Sequence, residues 1–473
     1  MESEINFILN DKDIHTKTNS AKVLLDYIRK DQKLTGTKEV CKEGDCGACT
    51  ILLGEVLDGK LRYKTINSCL FPIQNVNGKH VVTIEGLNQE IPNLIQSEFL
   101  NHGASQCGFC TPGFVVSLTG YFLNSSNLNY DEAINFIAGN ICRCTGYNSV
   151  KKSINNIILN LNGNSFNSNN NIERLVEVNI LPQYFNKIEE RLKKIYLDFV
   201  EQNEVKDTTF IAGGTDLFVQ KPDELLTHNL SFHSKVPKLK IYETNEDIVI
   251  HSSATIEELK NYFLQYFPIL NFEKLFTLFA SRQIRNNATI AGNIVNASPI
   301  ADITITLLAL NAELILKSSN NKNRILKLDQ FYKRYKTLDI SSNEIIEFIS
   351  IKIPDSNSSF NFEKVSKRKH LDIASVNTAI FINSENNKIL NIRISAGGVS
   401  PIPLLLLKTS EFLIGQKISN HVVKDAVQIA VSEISPISDI RGSKEYKTLL
   451  LQQLIKAHFI ELFPQIINHE VLT

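Results

Sequence analysis

Eight cysteines stand in the first third of the chain, at Cys41, Cys46, Cys49, Cys69, Cys107, Cys110, Cys142 and Cys144, and none follows them. The first four read C-x4-C-x2-C with one later cysteine, the plant-type spacing for a [2Fe–2S] cluster. The second four form two close pairs, CGFC and CRC, set far apart in sequence. Eight thiols make two sets of four, enough for two iron–sulfur clusters. A chain with two one-electron centres is built to move electrons.

Three other readings compete. Disulfides suit small secreted domains, but this chain has 473 residues. Its start, MESEINFILND, lacks a basic n-region and an unbroken apolar h-region, so no signal peptide is expected. Structural zinc prefers two C-x2-C knuckles, which C-x4-C-x2-C with a lone fourth cysteine fits poorly. Scattered buried thiols would not cluster in this way.

The length suggests about three domains, at roughly 100–200 residues each. A hydrophobic fraction of 43% supports ordinary packed cores. With 50 basic and 50 acidic residues the net charge is zero, so composition makes no case for a nucleic-acid or acidic-membrane partner. The longest apolar runs, PIPLLLL at 401–407 and ITLLAL at 305–310, are far short of a spanning helix. A reducing cytoplasm, where thiols stay available to metal, is the expected compartment.

Residues 4–16 alternate apolar and polar around Asn10-Asp11, which predicts a hairpin. Ser20 is expected to cap a helix with Val23, Leu24, Tyr27 and Ile28 on one face. The loop CKEGDCGAC follows, then strands on either side of a DGK turn. That order fits a β-grasp ferredoxin-like domain over 1–86. Residues 87–161 read as four helices: one closed by Gly103, one starting at Thr111-Pro112 with Thr111 as cap, one near Asp131, one from Asn148. The cysteine pairs fall in the loops before the second and fourth. Residues 162–178 read as an Asn-rich linker, and the remainder mixes strands and helices, so the fold class is multidomain α+β.

Iron held by thiolate needs four cysteines converging. Gly44 and Gly47 allow positive φ and let backbone N–H groups approach the sulfides. Asp45 reads as a solvated loop charge. The C-x-C pair puts Cys142 and Cys144 on one cluster edge, and Arg143 between them either lowers thiol pKa values or is simply exposed. Helix N-termini after the second set favour negative charge.

The second half has no G-x-G-x-x-G, so a Rossmann site is not indicated. A near miss to a P-loop, GEVLDGKL at 54–61, ends in Leu61 and reads as a hairpin. FIAGGTDL at 210–217 is a strand running into a glycine turn whose N–H groups can bind a pyrophosphate. ATIAGNIVNASPIAD at 288–302 runs small residues through an apolar stretch. There Gly292, Asn293, Ala297 and Ser298 let a flat ligand lie against the backbone. Asp302 either accepts from a ribose or adenine or caps the helix ITITLLAL. The ten histidines are scattered and read as structural or exposed. The basic run KVSKRKH, 364–370, reads as a solvated face that also helps attract an anionic nucleotide.

The cysteine motifs resemble the iron–sulfur portion of the xanthine dehydrogenase family of molybdenum hydroxylases. The resemblance implies that Cys41, Cys46, Cys49 and Cys69 bind the flavin-side cluster. It implies that Cys107, Cys110, Cys142 and Cys144 bind the cluster nearest molybdenum, with Gln106 at the position that contacts the pterin. The second half resembles the family's FAD-binding domain, expected over 179–358, with KRKHLDIASVNTAI and RISAGGVSP opening a C-terminal flavin-associated subdomain over 359–473. Carried over, Phe210, Ile211, Ala212, Gly213, Gly214, Thr215, Asp216 and Leu217 form the diphosphate-binding stretch. Phe279 packs by the isoalloxazine ring; Thr289, Gly292, Asn293, Ser298 and Asp302 contact the rest of FAD; Ile346 and Lys364 are further contacts. Many members have Ser at the Thr289 position, and here only the hydroxyl is kept.

The family's molybdenum domain is missing from this sequence. The resemblance therefore implies a separate FeS/FAD subunit with a molybdopterin-binding large subunit as partner, in a heterotetramer with two of each chain. The implied reaction takes xanthine, NAD+ and water to urate and NADH, with no catalytic residue in this chain beyond the flavin. The same architecture also serves other molybdenum hydroxylases acting on aldehydes or N-heterocycles, or an aromatic-CoA reductase. A binding or assembly protein with one cluster and no flavin is the alternative of a different class.

Overall fold

The computed structural model describes residues 2–161, 171–197, 209–228, 230–232, 237, 239–468 and 470. The chain packs into two compact units. One holds residues 1–234 together with 281–287; the other holds 235–280 and 288–473. Both mix helices and strands, as the α+β expectation requires.

The first unit begins with a five-stranded sheet of order β2-β1-β5-β3-β4. Its strands are β1 Glu2–Leu9, β2 Lys12–Asn19, β3 Thr50–Leu57, β4 Lys60–Asn67 and β5 His80–Val82. The expected hairpin is present, with Leu9 opposite Lys12, and β1 runs parallel to β5. Side chains alternate faces along a strand. Ile5, Phe7, Ile51 and Leu53 therefore fill one core, while Ile8 and Leu52 face another that they share with the helices. GEVLDGKL is the β3–β4 hairpin, with Leu57 opposite Lys60.

Ser20 caps nothing. The first helical residues are Leu24–Asp26, with Val23 at the cap, and they run on into a π-turn at Tyr27–Asp31. The start is delayed because Val23 makes a bridge to Pro72 and the Leu24 N–H donates to the Phe71 carbonyl, 2.8 Å, which keeps the chain extended.

Four helices follow as expected: Leu94–Asn101, Thr111–Asn124, Tyr130–Phe136 and Asn148–Leu161. Asn93 closes a capping box with Gln96 on the first, and Asn129 caps the third. Thr111 is the first helical residue of the second helix and not its cap; that place belongs to Cys110. Phe114 and Phe122 of this helix are fully buried, each contributing about 1.5–3 kcal/mol of hydrophobic stabilisation.

Of the expected linker, residues 162–170 lie outside the described residues. Residues 171–177 are no linker: Asn171–Glu177 is a helix. Asn171 is buried, and its side-chain amide donates to the carbonyls of Phe122, Leu123 and Ser125, tying the segment to the helical core. A short parallel pair, Thr209–Ile211 with Leu230–Phe232, also belongs to this unit.

Besides the short pair Tyr332–Arg334 with Thr337–Leu338, the described residues of the second unit form two larger sheets. One orders Asn323–Lys327, Glu313–Ser318, Glu344–Lys352, Asp247–His251 and Ile241–Glu243. The other is the antiparallel meander Ser358–Val365, Val376–Glu385, Lys388–Gly397 and Leu404–Leu405. Helices Asn420–Glu433 and Lys444–Leu462 join the core of that meander through Val423, Ala426, Leu451 and Phe459. Among the described residues no helix is long and apolar enough to cross a membrane.

Candidate functional site

Hairpin register brings the first cysteines together. Thr50 pairs with Asn67, so Cys49 just before β3 meets Cys69 on the turn just after β4, with their sulfurs 3.4 Å apart. The Ser68 hydroxyl donates to the Cys49 carbonyl, 2.8 Å, and the Asn67 amide donates to the Gly44 carbonyl, 2.7 Å, closing the loop. Cys41 and Cys46 hydrogen-bond each other, which pulls the Cys41 thiol down to about 5 and pushes the Cys46 thiol far up.

The second set is also paired. Cys144 and Cys107 lie 3.6 Å apart, and Cys110 hydrogen-bonds Cys142. Each pair takes one thiol from each loop. All eight cysteines are free thiols, which sets the disulfide reading aside. Among the described residues no three or more His, Cys, Asp or Glu gather as they would for a single ion. Thiols gathered in twos fit a [2Fe–2S] cluster, which takes four cysteines shared between its two irons.

Arg143 is exposed and is not what lowers its neighbours. Burial raises the Cys142 thiol, but the Thr145 hydroxyl, 3.2 Å, and the Thr145 N–H, 3.5 Å, both donate to its sulfur and leave it lowered. Burial pushes the Cys110 thiol up to about 12. Gln106 is exposed beside the exposed Cys107.

The two loops touch. The Ile141 N–H donates to the Cys46 carbonyl, 2.9 Å, and the Asn140 amide donates to the Gly47 carbonyl, 3.0 Å. Gly47 has φ +68°, and a Cβ there would lie 2.3 Å from the Gly139 carbonyl oxygen, so only glycine fits.

FIAGGTDL folds as expected: strand Thr209–Ile211, a turn, then the helical turn Leu217–Gln220. Gly214 has φ +72°, and a Cβ would lie 2.8 Å from the Phe218 ring. Ile211 and Phe218 share a buried cluster with Cys49 and Cys69, so the glycine turn and the first cysteine loop are parts of one core. Gly213 is buried, and its carbonyl accepts from the Asn287 amide, 2.7 Å. Phe210 and Asp216 are exposed; Ala212, Thr215 and Leu217 are half-buried.

The other expected flavin contacts lie in the second unit. Phe279 follows the helix Phe272–Leu278 and is half-buried. The Thr289 hydroxyl accepts from the Gly292 N–H, 3.1 Å, and so caps helix Ile290–Val295. Asn293 accepts from the Thr304 hydroxyl, 3.2 Å. Ser298 is half-buried, and Ile346 is buried opposite Leu316.

Asp302 is no helix cap: it is the first residue of helix Asp302–Ala309, and Ala301 holds the cap position. Its carboxylate accepts instead from Lys364, 2.7 Å, and from Asn377. Lys364 also donates to the Leu278 carbonyl, 2.9 Å, next to Phe279. It therefore leaves the solvated face expected of KVSKRKH and lies almost wholly buried. Burial pushes the Asp302 carboxyl above the usual carboxylate range, against the pull of Lys364. Phe279, Asp302 and Lys364 are thus brought together through Leu278. Asn67, Asn140, Thr145, Gln283 and Asn377 were not singled out from sequence, because a polar residue gives no pattern that distinguishes an anchor from a surface position.

Three family profiles match the chain. Residues 83–155 match the [2Fe-2S] binding domain. Residues 193–356 match the FAD binding domain in molybdopterin dehydrogenase. Residues 362–462 match the CO dehydrogenase flavoprotein C-terminal domain. The chain is similar to xanthine dehydrogenase of Emericella nidulans, 28% identical over 91% of this chain and 36% of the relative. It is similar to xanthine dehydrogenase 1 of Arabidopsis thaliana, 29% identical over 89% of this chain and 36% of the relative. A solved structure, the cyanide-inactivated form of Cu,Mo-CO dehydrogenase, is 26% identical over 53% of this chain and 87% of that chain, with a TM-score of 0.49. The chain spans just over a third of the length of these two curated relatives.

Proposed function

Because this chain carries the iron–sulfur and FAD-binding domains of the molybdenum hydroxylase family, where it serves electron transfer in an oxidoreductase, we propose the following path for its electrons. They come from a molybdopterin-binding partner, cross the 107/110/142/144 site and then the 41/46/49/69 site to FAD, and leave on NAD+. Clusters would supply one-electron steps and a flavin accepts one or two electrons, so FAD bound here would collect the two electrons and the proton that reduce NAD+ to NADH. The proposed overall reaction is xanthine to urate, with a large subunit holding the molybdopterin and two of each chain in the assembly. Eight free thiols suit a reducing compartment, the cytoplasm.

The observation that supports this reading most is the shared core of Cys49, Cys69, Ile211 and Phe218. It puts a thiol pair and a glycine turn in one packed body, as an electron relay to a flavin needs.

The chain's own residues hold and orient. The paired thiols would hold a [2Fe–2S] cluster at each site by offering two donors to each iron. The Thr145 hydroxyl and N–H stabilise negative charge on the Cys142 sulfur. The turn at Gly213 and Gly214 offers backbone N–H groups to a diphosphate. In the second unit, Thr289, Gly292, Asn293, Ser298, Asp302, Ile346 and Lys364 are proposed as FAD contacts, with Phe279 beside the ring system. The carboxylate of Asp302, already held by Lys364 and Asn377, keeps lone-pair capacity for a ligand hydroxyl.

The test is direct. Purified protein should contain iron and flavin, with absorption near ~450 nm that bleaches with NADH over a broad iron–sulfur background. Gly213→Val should lose FAD and keep its iron; unchanged FAD content in that variant would overturn the proposed turn. Capture of the native complex should bring molybdenum with it. Oxidation of an aldehyde or N-heterocycle but not of xanthine would keep the relay and replace the substrate.

A further inference from the structure

Residues Ser281–Asn287 pack in the first unit, although their chain neighbours Ala280 and Ala288 belong to the second. Ser281 caps the helical turn Arg282–Arg285. The segment reaches several places in the unit. The Arg282 guanidinium sits 4.2 Å from the Phe136 ring centroid. Ile284 packs against the cluster of Cys49 and Cys69. The Asn286 amide donates to the Thr65 carbonyl, 2.8 Å.

Gln283 is fully buried, and its amide donates to Asn140 Oδ1, 3.2 Å, and to the Ser117 hydroxyl, 3.3 Å. Ser117 in turn donates to Asn140 Oδ1, 2.7 Å. The acceptor end of Asn140 is gripped by two donors, while its donor end grips Gly47 in the first cysteine loop. The next residue, Ile141, holds the Cys46 carbonyl, and the one after it is Cys142. Gln283 is also a wedge: a Cβ on Gly139 would lie 2.3 Å from its Oε1.

We propose that Gln283 is a positioning residue for electron transfer: by holding Asn140 it fixes the separation and orientation of the two cysteine loops. Losing its amide leaves Asn140 Oδ1 with Ser117 as its one donor, and the Asn140 side chain is held less firmly toward Gly47. The Ile141 contact to Cys46 then loosens, and with it the distance an electron crosses. This inference rests on the reading that each loop holds a [2Fe–2S] cluster.

The experiment uses the full-length holoprotein. Gln283→Leu should retain its iron and the separate paramagnetic resonance signal of each reduced cluster. The splitting caused by spin interaction between the two reduced clusters should change, and hydrogen exchange at the Ile141 amide should rise roughly tenfold. Ser117→Ala, which removes the other donor to Asn140, should move the same two readouts less. Asn286→Ala, in the same segment but bonded to β4, should lower Tm and move neither. Unchanged splitting and unchanged Ile141 exchange in iron-replete Gln283→Leu would overturn the inference; if that variant does not fold, Ser117→Ala decides on the same two readouts. A wild-type chain that takes up no iron would overturn the cluster reading and this inference together, whereas full iron with no response in the variants overturns the inference alone.

Discussion

Cys49 and Cys69 lie buried in a core they share with Ile211 and Phe218, whereas Cys107 and Cys144 are exposed. Near the exposed pair in sequence are three large apolar side chains that also face solvent: Phe109, Ile141 and Tyr147. Both sets have the same count of thiols gathered in twos. What differs is what surrounds them. The first set ends against a wall of its own chain, the one carrying the glycine turn; the second opens outward. In the proposed relay the outer site receives and the inner site delivers.

The largest effect should come from removing one thiol from each site. Cys69→Ser should halve the iron and destabilise the unit by about 4 kcal/mol or more, since it takes both a cluster and a core contact. Cys144→Ser should halve the iron with a clearly smaller loss in Tm. Equal losses of Tm by calorimetry would erase the distinction between inner and outer sites.

Two glycines give a finer contrast. Gly47 and Gly108 both have positive φ, +68° and +78°, but only the first is crowded. Gly47→Ala should cost about 2–4 kcal/mol, combining backbone strain and overpacking. Gly108→Ala should cost about 1–2 kcal/mol, strain alone, because only the Ser105 hydroxyl oxygen lies within 3.9 Å of the new Cβ. Denaturant midpoints with unchanged slopes would measure both.

Acid should act on the inner site's sheet. His80 is fully buried between the Tyr63 hydroxyl, 2.7 Å, and the Asn10 carbonyl, 2.8 Å, and burial holds it down at about 3. Below pH 6.5 the unfolded chain binds a proton that the folded chain refuses. Stability should therefore be full above that pH and fall as pH drops toward 3, by about 1.4 kcal/mol per pH unit from this group. His80→Leu should flatten the pH dependence by that amount in urea titrations between pH 6 and 5, at a stability cost from the stranded Tyr63 hydroxyl.

The smallest effect belongs to the outer site. Thr145→Val removes the hydroxyl bond to the Cys142 sulfur, worth about 1 kcal/mol. The potential of the outer cluster should fall while that of the inner one holds. A shift in both by redox titration would mean that the two sites are not electrostatically separate.

The hairpins and the four-helix order were legible because they rest on local rules: period-two alternation and Pro at a helix start. Ser20 as a cap, and the cap alternative for Asp302, failed for a single reason. Both fit the local chemistry of a cap, and both were overruled by long-range partners, the Phe71 carbonyl that holds Leu24 extended and the Lys364 ammonium that claims Asp302. The stretch 171–177 looked like linker because asparagine is polar, yet Asn171 is buried to satisfy three carbonyls at a helix end. Thr145 and Gln283 were invisible because their importance lies in what folding places opposite them.

The seven residues Ser281–Asn287 have a consequence for modularity. They cannot be separated from the first unit by one cut in the chain, since they arrive after residues 235–280 and depart into 288–473. A gene fragment ending at residue 234 would encode every cysteine yet leave Asn140 without its Gln283 donor, Phe136 without its cation and Gly213 without Asn287. The iron–sulfur and flavin halves are therefore interleaved along the chain, and neither can be exchanged for a homologue's half at a single crossover without breaking the packing around the ligand loops.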